Sequence, residues 1–215
     1  IPERLDWLWF LGYELGKEIP NHSVLSKARA RWGTKAFQRF FERIVCQCVQ
    51  EGLVEGSKLF VDTSLIQADA SNNSVMDTES MRRYLHKGYK RLEGRLEEIK
   101  AKKKTPADRR HISVTDPDAS VTRRGGGKSK VCYKTHRAVD AKHEVITSTQ
   151  ITPGAVDDAH QLTEMIRSHE QNTQEQVETV VADSKYGTMD NYLICHDRGI
   201  KAHMPSWEEA HRGSG

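Results

Sequence analysis

The stretch Val180-Val181-Ala182-Asp183-Ser184-Lys185-Tyr186-Gly187 decides the reading of the fold. Three consecutive apolar residues, with Val177 just upstream, form a short run of strand length that ends abruptly on an acid. A run of this kind fits a strand buried on both faces better than an amphipathic helix. A second stretch has the same form: Leu59-Phe60-Val61 is apolar and ends at Asp62. It is followed by another strand-like run through Ile66 and Ala68, and then by the loop residues Asn72, Asn73 and Ser74.

The other elements follow outward from these two. Val131 to Val139 and Glu144 to Ile151 predict a hairpin turning at Asp140-Ala141-Lys142-His143, with Pro153-Gly154 breaking its second strand. Asp157 or Asp158 starts a helix with Leu162, Met165 and Ile166 on one face. A short helix through Met189, Tyr192 and Leu193 stops at Gly199, and Ile200 to Met204 gives a last strand. Hairpins first and crossover helices later predict an α/β fold, a mixed sheet with flanking helices, over residues 57–215. Residues 1–56 read as a small helical region. Trp7, Leu8, Phe10 and Leu11 form one apolar block, Gly33 separates two helices, and Phe37, Phe40, Phe41, Ile44, Val45, Cys48 and Val49 follow helical spacing up to Gly52. A long, highly charged helical insertion is expected at about 76–112, with a narrow stripe of Met81, Leu85, Leu92, Leu96 and Ile99. It reads either as a solvated helix or as a DNA-facing one.

Composition narrows the class. The chain has 215 residues, 36% hydrophobic and 29% charged, with 33 basic and 30 acidic side chains and a net charge of +3. The densest apolar run, Leu5 to Leu11, falls far short of the roughly 20 residues a spanning helix needs, so no membrane partner is expected. The four cysteines, Cys46, Cys48, Cys132 and Cys195, form no CxxC pair and read as buried free thiols of a reducing, cytoplasmic setting; their spacing does not suit zinc. Ile1 at the start and Arg212-Gly213-Ser214-Gly215 at the end suggest a fragment.

Asp62 and Asp183 are the chemical candidates. A carboxylate at the end of a buried strand needs solvent, a hydrogen bond or a cation, and sites in such sheets gather at the carboxyl ends of strands. On neighbouring strands the two would repel each other, and magnesium, which favours carboxylate oxygen and retains water, relieves that repulsion. An Asp after a strand also reads as an ordinary turn or cap residue. Asp116 and Asp118, beside Pro117, fit turn chemistry, and His136, on one strand face with Lys134, reads as a structural histidine or one turned toward DNA. Arg123-Arg124-Gly125-Gly126-Gly127-Lys128-Ser129 lacks the first glycine of a phosphate loop, since Thr122 stands there, and a strand follows it; it reads as a basic loop or a linker.

Family resemblance adds to this. The stretch from Leu59 to Ser71 resembles the first-aspartate motif of the DDE transposases of bacterial insertion sequences, and Val180 to Gly187 resembles their second. Thr115-Asp116-Pro117-Asp118, Tyr133 to Asp140, Trp7 to Gly12 and Ile19 to Lys27 are similar to further parts of that family, in the same order. The resemblance implies an RNase H-like catalytic core, with Asp62 and Asp183 as catalytic residues holding magnesium, for which manganese substitutes. The bound metals would activate water or a DNA 3′-hydroxyl and stabilise the leaving oxygen. It further implies terminal-repeat and target DNA as partners, a homodimer, and a bacterial, nucleoid-associated location. Lys27, Arg29, Arg31, Arg123, Arg124, Lys128, Lys130 and Lys185 become DNA-contact candidates, the first three within a helix-turn-helix at residues 5–32 that the resemblance favours over a packing or dimerising bundle. The family's third acid, a Glu on a later helix, is not matched; Glu208 and Glu209 read as surface acids. Two alternatives remain: a non-catalytic DNA-binding or dimerising remnant, and another RNase H-like nuclease.

Overall fold

A computed structural model describes residues 4–70, 72–77, 111–122 and 129–206. The chain divides into two compact units, Ile1–Ile44 and Val45–Gly215.

The first unit holds helix α1 (Leu5–Phe10) and most of helix α2 (His22–Gln50). Gly33 breaks α2 with a positive φ of 73°, so the expected separation at this glycine takes the form of a kink between two abutting helices. Asn21 opens α2, its Oδ1 accepting from the Ser23 backbone at 3.0 Å. Of the apolar block in α1 only Leu8 is buried, while Trp9 and Phe10 are more than 80% exposed. The end of α2 follows the sequence closely: Leu53 N donates to Cys48 O and Gly52 N to Val49 O, the paired bonds of a glycine-terminated helix.

The second unit is built on one mixed sheet. Its strands are β1 (Lys58–Gln67), β4 (Ser120–Thr122), β5 (Lys130–Asp140), β6 (Ile146–Pro153), β7 (Thr179–Ala182) and β8 (Lys201–His203). A separate antiparallel pair, β2 (Val75–Asp77) and β3 (His111–Ser113), brings the two ends of the expected insertion together. The charged helix expected between them lies outside the described residues, as does the basic loop at 123–128. In the main sheet the order is β4-β5-β1-β7-β8, with β6 also paired to β5. β5 runs antiparallel to β1, β4 and β6, whereas β1, β7 and β8 are parallel; helix α3 (Leu162–Thr173) leads from β6 into β7, and α4 (Met189–Asp197) joins β7 to β8. This is the mixed sheet with flanking helices that the order of elements in the sequence predicts.

Two sequence readings change here. β1 does not stop at Asp62: it continues unbroken to Gln67, because β5 pairs with it from Leu59↔Asp140 to Gln67↔Cys132 and supplies the backbone partners that polar Asp62, Thr63 and Ser64 gave no reason to expect. Strands β3 and β4 stand where the sequence announced none; three-residue strands are too short for alternation to reveal.

The core lies between the sheet and its helices. Leu59, Val61, Ala138 and Val180 from the strands meet Leu162, Met165 and Ile166 of α3 and Cys195 of α4, with Tyr186, Ile200 and Met204. Truncating such a side chain to Ala costs about 2–5 kcal/mol. The opposite sheet face leaves Phe60, Ile66 and Ile151 exposed. Of the cysteines, all of them free, Cys132 and Cys195 are buried as expected, but Cys46 is exposed and Cys48 half-buried on α2. Among the described residues no helix is long and apolar enough to cross a membrane.

Candidate metal centre

The parallel ladder of β1 and β7 builds the site. Its last rung is Val61↔Ala182, and the next residue on the two chains is Asp62 and Asp183. Neighbouring strands lie about 4.8 Å apart, so the register brings the two aspartates to adjacent positions where the β1–β7 ladder ends. Both are solvent exposed. Asp62 is out of phase with buried Leu59 and Val61, so alternation carries it away from the core. Asp183 Oδ1 accepts one bond, from the Lys185 backbone at 3.0 Å. Among the described residues no cationic side chain pairs with either acid. Two exposed, unneutralised carboxylates at the end of a parallel ladder are a donor set that fits a hard cation keeping part of its water shell. Among the described residues no third His, Cys, Asp or Glu completes a metal-holding group around them.

Beneath the carboxylates lies a chain of buried hydrogen bonds. Tyr186 Oη and Thr63 Oγ1 are 2.5 Å apart, Thr63 Oγ1 and His136 Nδ1 2.8 Å, and His136 Nε2 and Thr152 Oγ1 2.8 Å. It crosses the sheet from the turn after β7 through β1 and β5 to β6. Burial lowers the His136 pKa, opposed by Asp158, and so favours a neutral ring bonded on both nitrogens; the structural reading of this histidine is the one its surroundings match. Burial also pushes the Tyr186 phenol above its ordinary value, and Asp158, Asp183 and Asp62 add to the rise. All three carboxylates thus lie within electrostatic reach of one hydroxyl.

Asp158 is the acid the sequence hid. Asp157 takes the capping role, accepting from Ala159 N at 3.1 Å, and frees Asp158 to turn inward. The Asp158 side chain is 1% exposed, with Lys134 Nζ 2.8 Å from Oδ1 and Lys185 Nζ 3.3 Å from Oδ2. Lys134 approaches Oδ1 outside hydrogen-bond geometry, so that oxygen is ion-paired without a directed bond; its ammonium donates instead to Val156 O at 2.7 Å. Two ammonium groups already neutralise this carboxylate, which therefore supports the site without serving as an open ligand.

The remaining candidates disperse. Lys27, Arg29 and Arg31 are exposed on α2; Lys27 and Arg31, four apart, share a face that Arg29 does not. Arg123, Arg124 and Lys128, like Glu208 and Glu209, lie outside the described residues. Lys130 is exposed at the start of β5, seven residues from the Arg137 that pairs with Asp62, or roughly 23 Å along the strand. Lys185 stays at the site, half exposed, through its contact with Asp158. Arg137 was not anticipated: it faces Asp62 across the ladder and is exposed, a pairing that only the register reveals. Asp116 accepts from Tyr133 Oη at 2.5 Å, and Asp140 is buried, accepting from the backbones of Glu55, Gly56 and Lys142; both have structural duties.

Residues 99–208, just over half of the chain, match the family model described as "Transposase DDE domain". The match includes Asp183, Asp158 and His136 and begins after Asp62. No curated protein matches the chain. A solved structure titled "Mos1 transposase paired-end complex with left transposon end" aligns with 97% of this chain and 54% of its own at 12% identity, with a TM-score of 0.36. The chain spans about half the length of that structure, a likeness too slight to bear on function.

Proposed function

Since the chain belongs to the transposase DDE domain family, we propose that it carries two of the three acids of a DNA transposase, an enzyme of metal-dependent strand cleavage and transfer at the ends of a bacterial insertion sequence, and that without the third acid this stretch alone does not cut. The observation that carries the reading is the β1–β7 register, with exposed Asp62 and Asp183 following its last rung. Magnesium or manganese held there supplies charge neutralisation and Lewis acidity at a phosphodiester. Asp62 and Asp183 would hold the cation, which would neutralise charge on the phosphate. Arg137, exposed and across the ladder from Asp62, adds a fixed positive charge suited to a phosphate oxygen. Lys185, half exposed while paired with Asp158, offers its ammonium to DNA backbone. The protein's part is placement and electrostatics, since phosphoryl transfer asks for little covalent chemistry from side chains.

Double-stranded DNA is the proposed substrate. Lys27 and Arg31, together with the basic residues Arg123, Arg124, Lys128 and Lys130, supply sequence-independent backbone contacts, and a homodimer working on two ends in the bacterial nucleoid is part of the same reading. The test is a manganese titration of the wild-type chain against Asp62→Asn and Asp183→Asn, read by the electron paramagnetic resonance of free Mn²⁺. Each substitution is expected to weaken binding at least tenfold with the fold retained. Equal binding by all three proteins sinks the proposal.

A further inference from the structure

We infer that the chain of hydrogen bonds Tyr186–Thr63–His136–Thr152 is a positioning device for the two aspartates, holding their carboxylates at the separation a divalent cation needs. The inference rests on the metal-site reading above and adds residues to it that touch neither metal nor DNA.

The link between Tyr186 and Thr63 carries the first part of the case. Thr63 directly follows Asp62, and Tyr186 closes the turn that Asp183 opens, its backbone N–H donating to Asp183 O at 3.1 Å. The 2.5 Å contact between Thr63 and Tyr186 is therefore a side-chain tie between the two carboxylate-bearing segments, just beyond the last backbone rung. Above that rung no ladder holds Asp183 to β1.

Burial carries the second part. Tyr186 and His136 are fully buried and Thr152 nearly so, and Tyr186 packs within the apolar cluster of Leu59, Val61, Leu162 and Ile166. Polar groups in such a place lower stability unless bonded, and an apolar set of the same shape packs without that penalty. The β1–β5 and β5–β6 ladders are already closed by backbone pairing and need no side-chain bonds across them. What a fully bonded polar chain adds is a single permitted geometry, which a greasy core of equal volume does not enforce.

The turn is braced from its other side as well. Asn191 Nδ2 donates to Tyr186 O at 2.9 Å and to Ala159 O at 3.1 Å. A Cβ on Gly187 would lie 2.4 Å from Pro205 O, so the turn passes too close to that backbone for any side chain here. With its main chain fixed, the Tyr186 ring can transmit the position of Thr63 to the Asp183 turn.

Thr63→Val keeps the shape and removes the hydroxyl that bridges Tyr186 and His136; Tyr186→Phe removes the other end; Thr63→Ser restores the hydroxyl. In Mn²⁺ titrations of the full chain, Thr63→Val and Tyr186→Phe are each expected to weaken binding about tenfold, in line with supporting residues at other metal sites. Thr63→Ser is expected within twofold of wild type, and the Thr63→Val/Tyr186→Phe pair no weaker than either alone, since both break one chain. Ile166→Val, which loosens the same core away from the chain, is expected to leave the affinity unchanged. Wild-type affinity in both Thr63→Val and Tyr186→Phe, alongside loss in Asp62→Asn, overturns the positioning role and leaves the metal site standing. Equal weakening by Ile166→Val overturns it too, since general loosening then suffices. If Thr63→Val does not fold, Tyr186→Phe and Thr63→Ser decide alone. Unchanged binding in Asp62→Asn marks failure of the site itself.

Discussion

Replacing Asp158 by Asn keeps the side chain's shape and removes its charge, and the surroundings fix the size of the effect. Lys134 loses the partner 2.8 Å away while its ammonium stays largely buried, with a side-chain exposure of 16% and only Val156 O to bond. Breaking a buried ion pair by removing one member costs about 3–5 kcal/mol, because the remaining charge is uncompensated. The isosteric amide retains some hydrogen bonding, which points to the lower end, about 3 kcal/mol. Lys185 is 52% exposed and turns to water, so its lost contact adds less than about 1 kcal/mol. For a unit of this size that total lowers the thermal midpoint by roughly 6–12 °C. Urea unfolding of wild type, Asp158→Asn, Lys134→Met and the double variant measures it, with a coupling of about 2 kcal/mol or more between the two sites. A loss below about 1 kcal/mol, or strict additivity in the double variant, refutes the buried-pair reasoning.

Three other outcomes follow from the same structure. Burial lowers the pKa of His169, as of His136, below the ordinary histidine value; the unfolded chain then binds more protons, so stability is complete above about pH 6.5 and falls as pH drops through that value toward the folded pKa, at up to about 1.4 kcal/mol per pH unit per histidine. Thermal midpoints from pH 7.5 to 5.5 should show this slope, and His169→Gln should flatten it; an unchanged slope counts against the assignment. Gly187→Ala, with its Cβ 2.4 Å from Pro205 O, should destabilise by about 1–3 kcal/mol in urea unfolding, and a neutral result means that Pro205 yields freely. With two carboxylates and no third described ligand, residues 1–215 should nick terminal-repeat DNA at or near background in magnesium; robust nicking refutes that expectation.

The legible parts of the sequence were those governed by local rules. Gly52 and Gly199 end helices where expected, since a left-handed residue with two returning bonds is a local event. The β5–β6 hairpin and the apolar run of β7 declared themselves by pattern. The continuation of β1 through Asp62-Thr63-Ser64 did not, because its cause is a distant partner, β5. Asp158 was hidden for a similar reason: two adjacent aspartates at a helix start look alike, and only the placement of Lys134 and Lys185 separates cap from buried ion. The two site aspartates were picked out singly, while the rung that sets them side by side, Val61↔Ala182, and the Arg137 opposite Asp62 are properties of register that no single segment encodes.

The tie between Thr63 and Tyr186 joins residues 123 positions apart. Closing a loop of that length costs about 4 kcal/mol of chain entropy before any contact repays it. The edge that bears the carboxylates is therefore expected to close late in folding, after the β5–β6 hairpin and the α3 helix that follows it in sequence. On the ribosome, Asp62 emerges long before Asp183, and a nascent chain presents a lone acid on an unfinished sheet. Assembly of the site then reports that the whole unit has folded, so that competence for chemistry and completion of the fold arrive as one event.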